Sequence, residues 1–481
     1  MRIVHATGEL FPYIKTGGLA DVVGAVTNAL AGYGHEVAAF LPGYRPVLEH
    51  PELAGAEKVF SFGVDMGSDF LKGEIRSVKL SKNLTVYLVC RDEYFDRRYP
   101  YGPPDRDYED NAERFIFFSK AVVEVLVRTG FKPDIVHCHD WQTALIPLML
   151  RIEERRRAVA IAGKTVFTIH NLAFQGIYPH KVFELTNLPV ELLNIDGLEF
   201  YGQVNLLKGG ILFSDQLTTV SPTYAREILT PEFGCGLEGL LSMRSDELVS
   251  VLNGIDQDVW DPQTDSHLPA NYSNSDLKGK ETCRRALLRE CGFDERFTGP
   301  VFAMICRFTE QKGMGVLLEA GDFFAGGESL LILLGSGQEY YERKFTEFAT
   351  RNSKSVYLGL KHDEGMSHLI EAGSDFFLMP SIFEPCGLNQ MYSQRYGTVP
   401  VVSRVGGLAD TVIDIDESPG KGTGIHFSPG DSGELRKAMK RATALFADKK
   451  RLGEIRQRGM KTDFGWKTAA RAYESLYREI I

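Results

Sequence analysis

The chain has 481 residues, 43% hydrophobic and 25% charged, with a formal net charge of −10. That is enough apolar material for two or three cored domains, and the acidic balance argues against a general nucleic-acid binder. Seven cysteines without a Cys-x-x-Cys pair argue against a secreted disulfide framework and for a reducing cytoplasm. No signal-peptide stretch precedes the first strand, and no apolar run approaches the roughly 18 residues of a membrane helix.

The first 45 residues read as a βαβ opening: a strand over Arg2–Ala6, a glycine loop, an amphipathic helix and a strand over Glu36–Leu41. In the loop, Lys15-Thr16-Gly17-Gly18 places a lysine beside two glycines at a helix start. Backbone N–H groups and an ammonium together suit a diphosphate; a tight turn with an exposed lysine is the alternative. Asp21, in the first helical turn, also reads as simple dipole stabilisation. Tyr94, Phe95, Tyr99, Tyr101 and Tyr108 fit either a platform for sugar faces or a packed surface loop.

A further strand ends in His137-Cys138-His139-Asp140-Trp141, and alternation puts both histidines on one face. A metal pair is one reading. With no comparable second ligand cluster, a polar strand end facing a cleft is preferred. The Glu153–Arg157 charge run reads as a solvated helix face. Lys164–Ile169 is a strand ending at His170-Asn171, which either faces ligand or caps the next element. Gln216–Val220 is another strand, and residues 253–280 turn rich in Asn, Asp, Ser and Pro, as at a domain boundary.

The second half restarts the rhythm. After the strand Val301–Ile305, Arg307 and Lys312 bracket a loop ending at Gly313, so a planar fork and a point charge can converge on one anion. Leu330–Leu334 is a strand closed by Gly335-Ser336-Gly337. After the strand Asp375–Met379, the proline following Glu384 extends the backbone there. Its carboxylate can meet sugar hydroxyls or positive charge at a sugar carbon, with the N–H groups of Cys386, Gly387 and Leu388 left for phosphate. Nothing marks a base that would activate Cys386, so it reads as a small residue beside the ligand. Gly-Gly-Leu-Ala-Asp, present at 17–21, recurs at 406–410 after the strand Pro400–Ser403. The repeat, including Gly407, suggests one phosphate-binding device used twice. Trp466, Ala469, Ala470, Tyr473 and Tyr477 mark a packed terminal helix.

Short apolar runs alternating with helices predict an α/β chain of two Rossmann-like domains, with ligand at the carboxyl ends of the strands and a shared central cleft. The expected division is 1–250, 251–455 and a last segment, 456–481.

Taken together these segments resemble the bacterial glycogen synthases and plant starch synthases. The shared stretches are 15–22, 137–141, 168–171, 253–256, 307–313, 384–388 and 406–412, in the family's order along nearly the whole chain. The resemblance implies a glycosyltransferase-B fold, with the terminal helix crossing back to the first domain. It also implies transfer of glucose, usually from ADP-glucose, to the non-reducing end of an α-1,4-glucan. By that analogy Arg307 and Lys312 bind the diphosphate, Lys15 and the Gly18 backbone approach it, and Asp140, His170, Asn253 and Glu384 hold the glucose. The family retains the anomeric configuration and uses neither metal nor cofactor; no nucleic acid or membrane partner is implied. Three departures stand out: Asn389 for threonine, Ser393 for a small Gly or Ala, and His362 near the usual adenine-stacking tyrosine.

The competing readings are a retaining transferase of the same fold with UDP-glucose or a small acceptor, an NAD-dependent oxidoreductase, and a non-catalytic nucleotide-sugar sensor. The oxidoreductase needs Gly-x-Gly-x-x-Gly, and Gly335-Ser336-Gly337-Gln338-Glu339-Tyr340 fails at its third glycine. A sensor would be expected to lose a charged site residue, yet Lys15, Arg307, Lys312 and Glu384 are all present.

Overall fold

A computed structural model describes residues 1–103, 106–361 and 363–481. It divides into two compact units: residues 1–220, 225–252 and 466–481 form the first, and 221–224 with 253–465 the second.

The first unit is built on strands β1 (Arg2–Ala6), β2 (Glu36–Pro42), β3 (Glu57–Met66), β4 (Asp69–Lys79), β5 (Leu84–Cys90), β6 (Ile135–His139) and β7 (Lys164–Ile169). Short strands β8 (Ile177–Pro179), β9 (Glu199–Phe200) and β10 (Gln203–Asn205) follow, then β11 (Gln216–Thr219) and β12 (Leu248–Ser250). The main sheet runs β12-β11-β7-β6-β1-β2-β5-β4-β3. From β12 to β5 every pairing is parallel. The chain grows outward from β1 to β2 and β5, then returns to the other side of β1 at β6. The strand order therefore reverses between β1 and β6.

The second unit carries β13 (Val301–Ile305), β14 (Leu330–Leu334), β15 (Val356–Gly359), β16 (Phe376–Met379), β17 (Val399–Ser403) and β18 (Ile425–Phe427). Their order, β15-β14-β13-β16-β17-β18, is wholly parallel and reverses between β13 and β16. Both sheets thus follow the doubly wound nucleotide-binding plan. Strands β6, β14, β16 and β17 are buried along their whole length, because helices cover both faces of a parallel sheet.

Two parts depart from the expected all-parallel pattern. The hairpin β3–β4 joins the sheet edge antiparallel to β5, and β8-β10-β9 form a separate antiparallel sheet. The hairpin's residues are mostly exposed or half-buried, so it lacks the continuous apolar run that announces a parallel strand. Among the described residues no helix is long and apolar enough to cross a membrane.

The last helix, Trp466–Ile480, belongs to the first unit. It buries Ala469, Ala470, Tyr473 and Tyr477, whose spacing was legible as one helical face, together with Leu476. Ala469, Tyr473 and Tyr477 join Ile3, Val22, Val26 and Leu30 in one core cluster. The Tyr477 hydroxyl is hydrogen-bonded to His137 Nδ1 on β6 at 2.6 Å, both groups buried. Tyr477→Phe keeps the ring and orphans the imidazole nitrogen. It is expected to cost about 1–3 kcal/mol, measured as a lower urea midpoint; an unchanged midpoint would show that this bond does not hold the helix.

Candidate functional site

In each unit several of the candidate residues follow the two strands between which the strand order reverses: Lys15, Gly18 and Asp140 in the first, Arg307, Lys312 and Glu384 in the second. There, loops leaving two neighbouring strands turn opposite ways and leave a crevice at the carboxyl ends.

In the second unit, β13 ends and Phe308 buries itself, its N–H donating to the Ser336 carbonyl at 2.9 Å. Arg307 just before it stands exposed, with no hydrogen-bond or ion-pair partner among the described residues. The loop closes at Gly313, in the left-handed region at φ +71°, where a Cβ would lie 1.8 Å from the Pro380 carbonyl oxygen. Only glycine permits that approach. The Ile382 N–H donates to the Gln311 carbonyl at 2.9 Å, so the loops after β13 and β16 are laced together by backbone.

That lacing sets the side chains. Lys312 Nζ meets Glu384 Oε2 at 2.6 Å, and the Ser381 hydroxyl donates to the same oxygen at 2.9 Å. Glu384 is 4% exposed; a carboxylate so buried requires such partners. A pocket opens here, lined among others by Cys306, Lys312, Ser381, Gly387, Leu388 and Asn389. The N–H groups of Cys386, Gly387 and Leu388 make no hydrogen bond among the described residues. Burial pushes the Cys386 thiol up to about 12, against hydrogen bonds from the Asn253 backbone and side chain. At neutral pH it is a thiol and no nucleophile. Asn253 keeps a buried Oδ1 without a partner among the described residues.

Two departures from the family pattern have structural roles. Asn389 donates its amide to the Ile305 carbonyl at 2.7 Å, tying the next helix to the end of β13. Ser393 Oγ lies 2.8 Å from Glu371 Oε2 and 2.7 Å from the Asn389 carbonyl oxygen. His362 lies outside the described residues.

The repeated pentapeptide is not one device used twice. In the first copy Gly18 opens a helix, Gly18–Gly32; in the second the helix Gly406–Thr411 already starts one residue earlier in the motif. Gly407 donates its N–H to the Glu384 and Pro385 carbonyls, at 3.1 and 3.2 Å. A Cβ there would meet the Cys386 carbonyl oxygen at 2.3 Å. Gly407 therefore supports the 384–386 loop from behind, and its N–H is not open to phosphate.

In the first unit the glycine loop is wrapped around a carboxylate that sequence reasoning missed. Glu9, 3% exposed, accepts the N–H groups of Thr16 and Gly17, the Thr16 hydroxyl at 2.6 Å and the Tyr101 hydroxyl at 3.0 Å. Burial still raises its pKa. The signal was present as an acidic residue just past a buried strand, followed by Leu10. Lys15 pairs with Asp21 at 2.8 Å, and its side chain is 43% exposed. The Gly18 N–H belongs to the first, unsatisfied turn of its helix.

Asp140 follows β6 at φ 55°, ψ −174°, a conformation nearly reserved for glycine and costing about 1–3 kcal/mol. Its carboxylate accepts the His170 N–H at 2.7 Å and also the Asn171 N–H, while burial pushes its pKa up to about 7. Asp140 thus fixes the backbone of His170. The ring of His170 is fixed separately: Nε2 bonds His139 Nδ1 at 3.0 Å, and His139 Nε2 bonds His5 Nδ1 at 3.0 Å. Burial pushes His170 and His5 down to about 3, so this row is neutral. His170 Nδ1 has no partner among the described residues.

One first-unit expectation needs correction, and one open alternative is resolved in part. His137 and His139 do share a face, with ring centroids 4.1 Å apart, but they are fully buried and do not line a cleft. Their nitrogens are taken by Tyr477, Thr168, His170 and His5. Of the two readings of the aromatic segment, packing holds for Tyr94, Phe95 and Tyr108. Phe95 and Tyr108 lie against the guanidinium of buried Arg114, which donates to the carbonyls of Tyr94 and Pro100.

Comparison with known proteins agrees with this fold. The family model described as starch synthase catalytic domain matches residues 2–243, and that of glycosyl transferases group 1 matches residues 293–458. The glycogen synthase of Opitutus terrae is 56% identical over the full length of both chains. Glycogen synthase 2 of Geobacter sulfurreducens is 43% identical over 99% of this chain and 98% of its own. The solved catalytic domain of starch synthase IV from Arabidopsis thaliana, bound to ADP and acarbose, superposes with a TM-score of 0.91 at 34% identity, covering 100% of this chain and 99% of that one. Sucrose-phosphate synthase from Thermosynechococcus elongatus, at 17% identity and a TM-score of 0.63 over 100% of this chain and 99% of its own, shares the fold. The architecture is the glycosyltransferase-B fold, and the chain belongs to the glycogen and starch synthase family.

Proposed function

We propose that this chain transfers glucose from ADP-glucose to the non-reducing end of an α-1,4-glucan, with retention at the anomeric carbon. One observation carries the assignment of roles: Lys312, Gly387 and Leu388 line one pocket, Lys312 is paired with buried Glu384, and Arg307 stands exposed at the start of the same loop with no partner among the described residues. The ADP and acarbose bound to the Arabidopsis starch synthase support a nucleotide diphosphate donor and a glucan acceptor. The seven free thiols support a reducing cytoplasm.

In the mechanism we assign, Arg307 and Lys312 hold the diphosphate, with the Cys386–Leu388 N–H groups on its oxygens. Lys312 exchanges Glu384 for phosphate, which frees Glu384 to face sugar hydroxyls and the positive charge that grows at the anomeric carbon. As the bond from that carbon to the phosphate oxygen breaks, the departing diphosphate gains charge. Arg307 and Lys312 stabilise it more strongly then than before, which is how they lower the barrier. The departing phosphate accepts the proton of the acceptor hydroxyl on the same face, so the step needs no protein nucleophile. Within the first unit, Lys15, steadied by Asp21, and the Gly18 N–H are assigned to phosphate. His170 Nδ1 in the first unit and Asn253 Oδ1 in the second, both buried and without a partner among the described residues, are each assigned to glucose hydroxyls, with Asp140 holding His170 in place.

A radiolabel assay offering ADP-glucose or UDP-glucose with glycogen as acceptor tests the reaction; incorporation from neither donor refutes it. Arg307→Ala is expected to lower kcat by about 10²–10³ while the protein stays folded, and normal turnover in that variant removes the diphosphate assignment. Transfer is expected to persist in excess chelator. If Mg²⁺ alone restores activity after chelation, the two cations do not suffice for the leaving group.

The histidine row gives a test at another level. An imidazole whose pKa is pushed down keeps its neutral form as pH falls through the ordinary value near 6.5. Histidine ¹⁵N spectra are therefore expected to show His170 neutral at about pH 5. An imidazolium signal for it at that pH would mean that it meets the sugar as a cation.

A further inference from the structure

We propose that the second unit carries a binding site for a divalent transition-metal ion, formed by His267, Glu364 and His368 and separate from the residues assigned to sugar transfer. One donor atom from each of these residues lies within 4.8 Å of the others. Glu364 and His368 are four apart on the helix Glu364–Gly373 and therefore share a face. His267 comes from the irregular segment before residue 278. Its N–H donates to Asp265 Oδ1 at 2.8 Å, and its ring centroid is 4.7 Å from that of His368.

His368 is what separates this cluster from a chance grouping of surface groups. It is wholly buried, and its Nδ1 is bonded to Asp265 Oδ2 at 2.7 Å, a carboxylate that also accepts the Tyr396 hydroxyl. The ring lies flat on Trp260 at 3.9 Å, and Trp260 lies on Tyr392 at 4.0 Å. Its Nε2 is buried and has no partner among the described residues. A carboxylate on one imidazole nitrogen orients the ring and raises the basicity of the other, the arrangement found behind metal-ligating histidines. Buried polar atoms without partners are rare and call for a ligand.

The other two ligands are exposed and can adjust. Metal–ligand bonds of about 2.0–2.2 Å draw donors to somewhat over 3 Å apart, a shift that exposed side chains can make while His368 stays fixed. Two imidazoles and one carboxylate, with water completing the shell, favour Zn²⁺, Co²⁺ or Ni²⁺ over Mg²⁺ or Ca²⁺. The other histidine group, His5 with His137 and His139, fails this test, because the nitrogens of His137 and His139 are already hydrogen-bonded. A bound ion would clip the segment around Trp260 and His267 to the helix start, and so stabilise the folded unit.

The experiment uses the full chain stripped of metal, titrated with Zn²⁺ by calorimetry and with Co²⁺ by visible absorption. A single site is expected, with a raised Tm on Zn²⁺ binding, none on Mg²⁺, and a Co²⁺ spectrum without a thiolate charge-transfer band. Glu364→Gln and His267→Ala, both at exposed positions, are each expected to weaken Zn²⁺ binding about tenfold or more and to leave glucosyl transfer unchanged. The proposal is overturned by absence of Zn²⁺ uptake, by undiminished affinity in the double variant, or by a thiolate band that places the metal on cysteine.

Discussion

Reversal of strand order at the middle of each sheet is the constraint on which the remainder depends. A parallel sheet wound in one direction covers the ends of its strands with its own crossovers. Where winding switches sides, between β1 and β6 and again between β13 and β16, two neighbouring strand ends are left uncovered. Glu9 and Asp140 follow the first pair of strand ends; Arg307 and Glu384 follow the second. Chemistry gathers there because backbone N–H groups and side chains can face a ligand without breaking the ladder.

The loops at these points are stiff, and their stiffness comes from backbone docking on backbone. Gly313 rests on Pro380, Gly407 on Glu384 and Cys386, and the turn at Thr16 and Gly17 closes around the Glu9 carboxylate. Charges mounted on such loops need little reorganisation when a ligand's charge changes, which is the condition for strong electrostatic stabilisation. The strained backbone at Asp140 fits the same picture. It is kept because two N–H groups converge on its carboxylate, and in return it fixes the residue after β7.

Much of this was legible in the residues. Continuous apolar runs announced the parallel strands, and Arg307, Lys312 and Glu384 stood out as charged residues following the ends of two of them. The hairpin β3–β4 was not legible, since an edge hairpin with half its residues in solvent gives no continuous run. Glu9 was hidden because one acidic letter does not reveal that four donors converge on it. The histidine row was hidden because it joins β1, β6 and the residue after β7, which are distant in sequence. Gly407 misled because a repeated pentapeptide fixes composition but not which way an N–H points. His368 went unread because its carboxylate partner lies 103 residues away.

The last helix has a consequence for the order in which the chain is made. Residues 253–465 form the second unit, and residues 466–481 return to finish the first. On the ribosome the apolar face made by Ile3, Val22, Val26 and Leu30 is synthesised early, yet its cover of Ala469, Tyr473 and Tyr477 emerges last. The second unit has all its core residues before then and can fold while the first is incomplete. The half of the molecule translated first is thus the half completed last, and it carries exposed apolar surface through nearly the whole of its own synthesis.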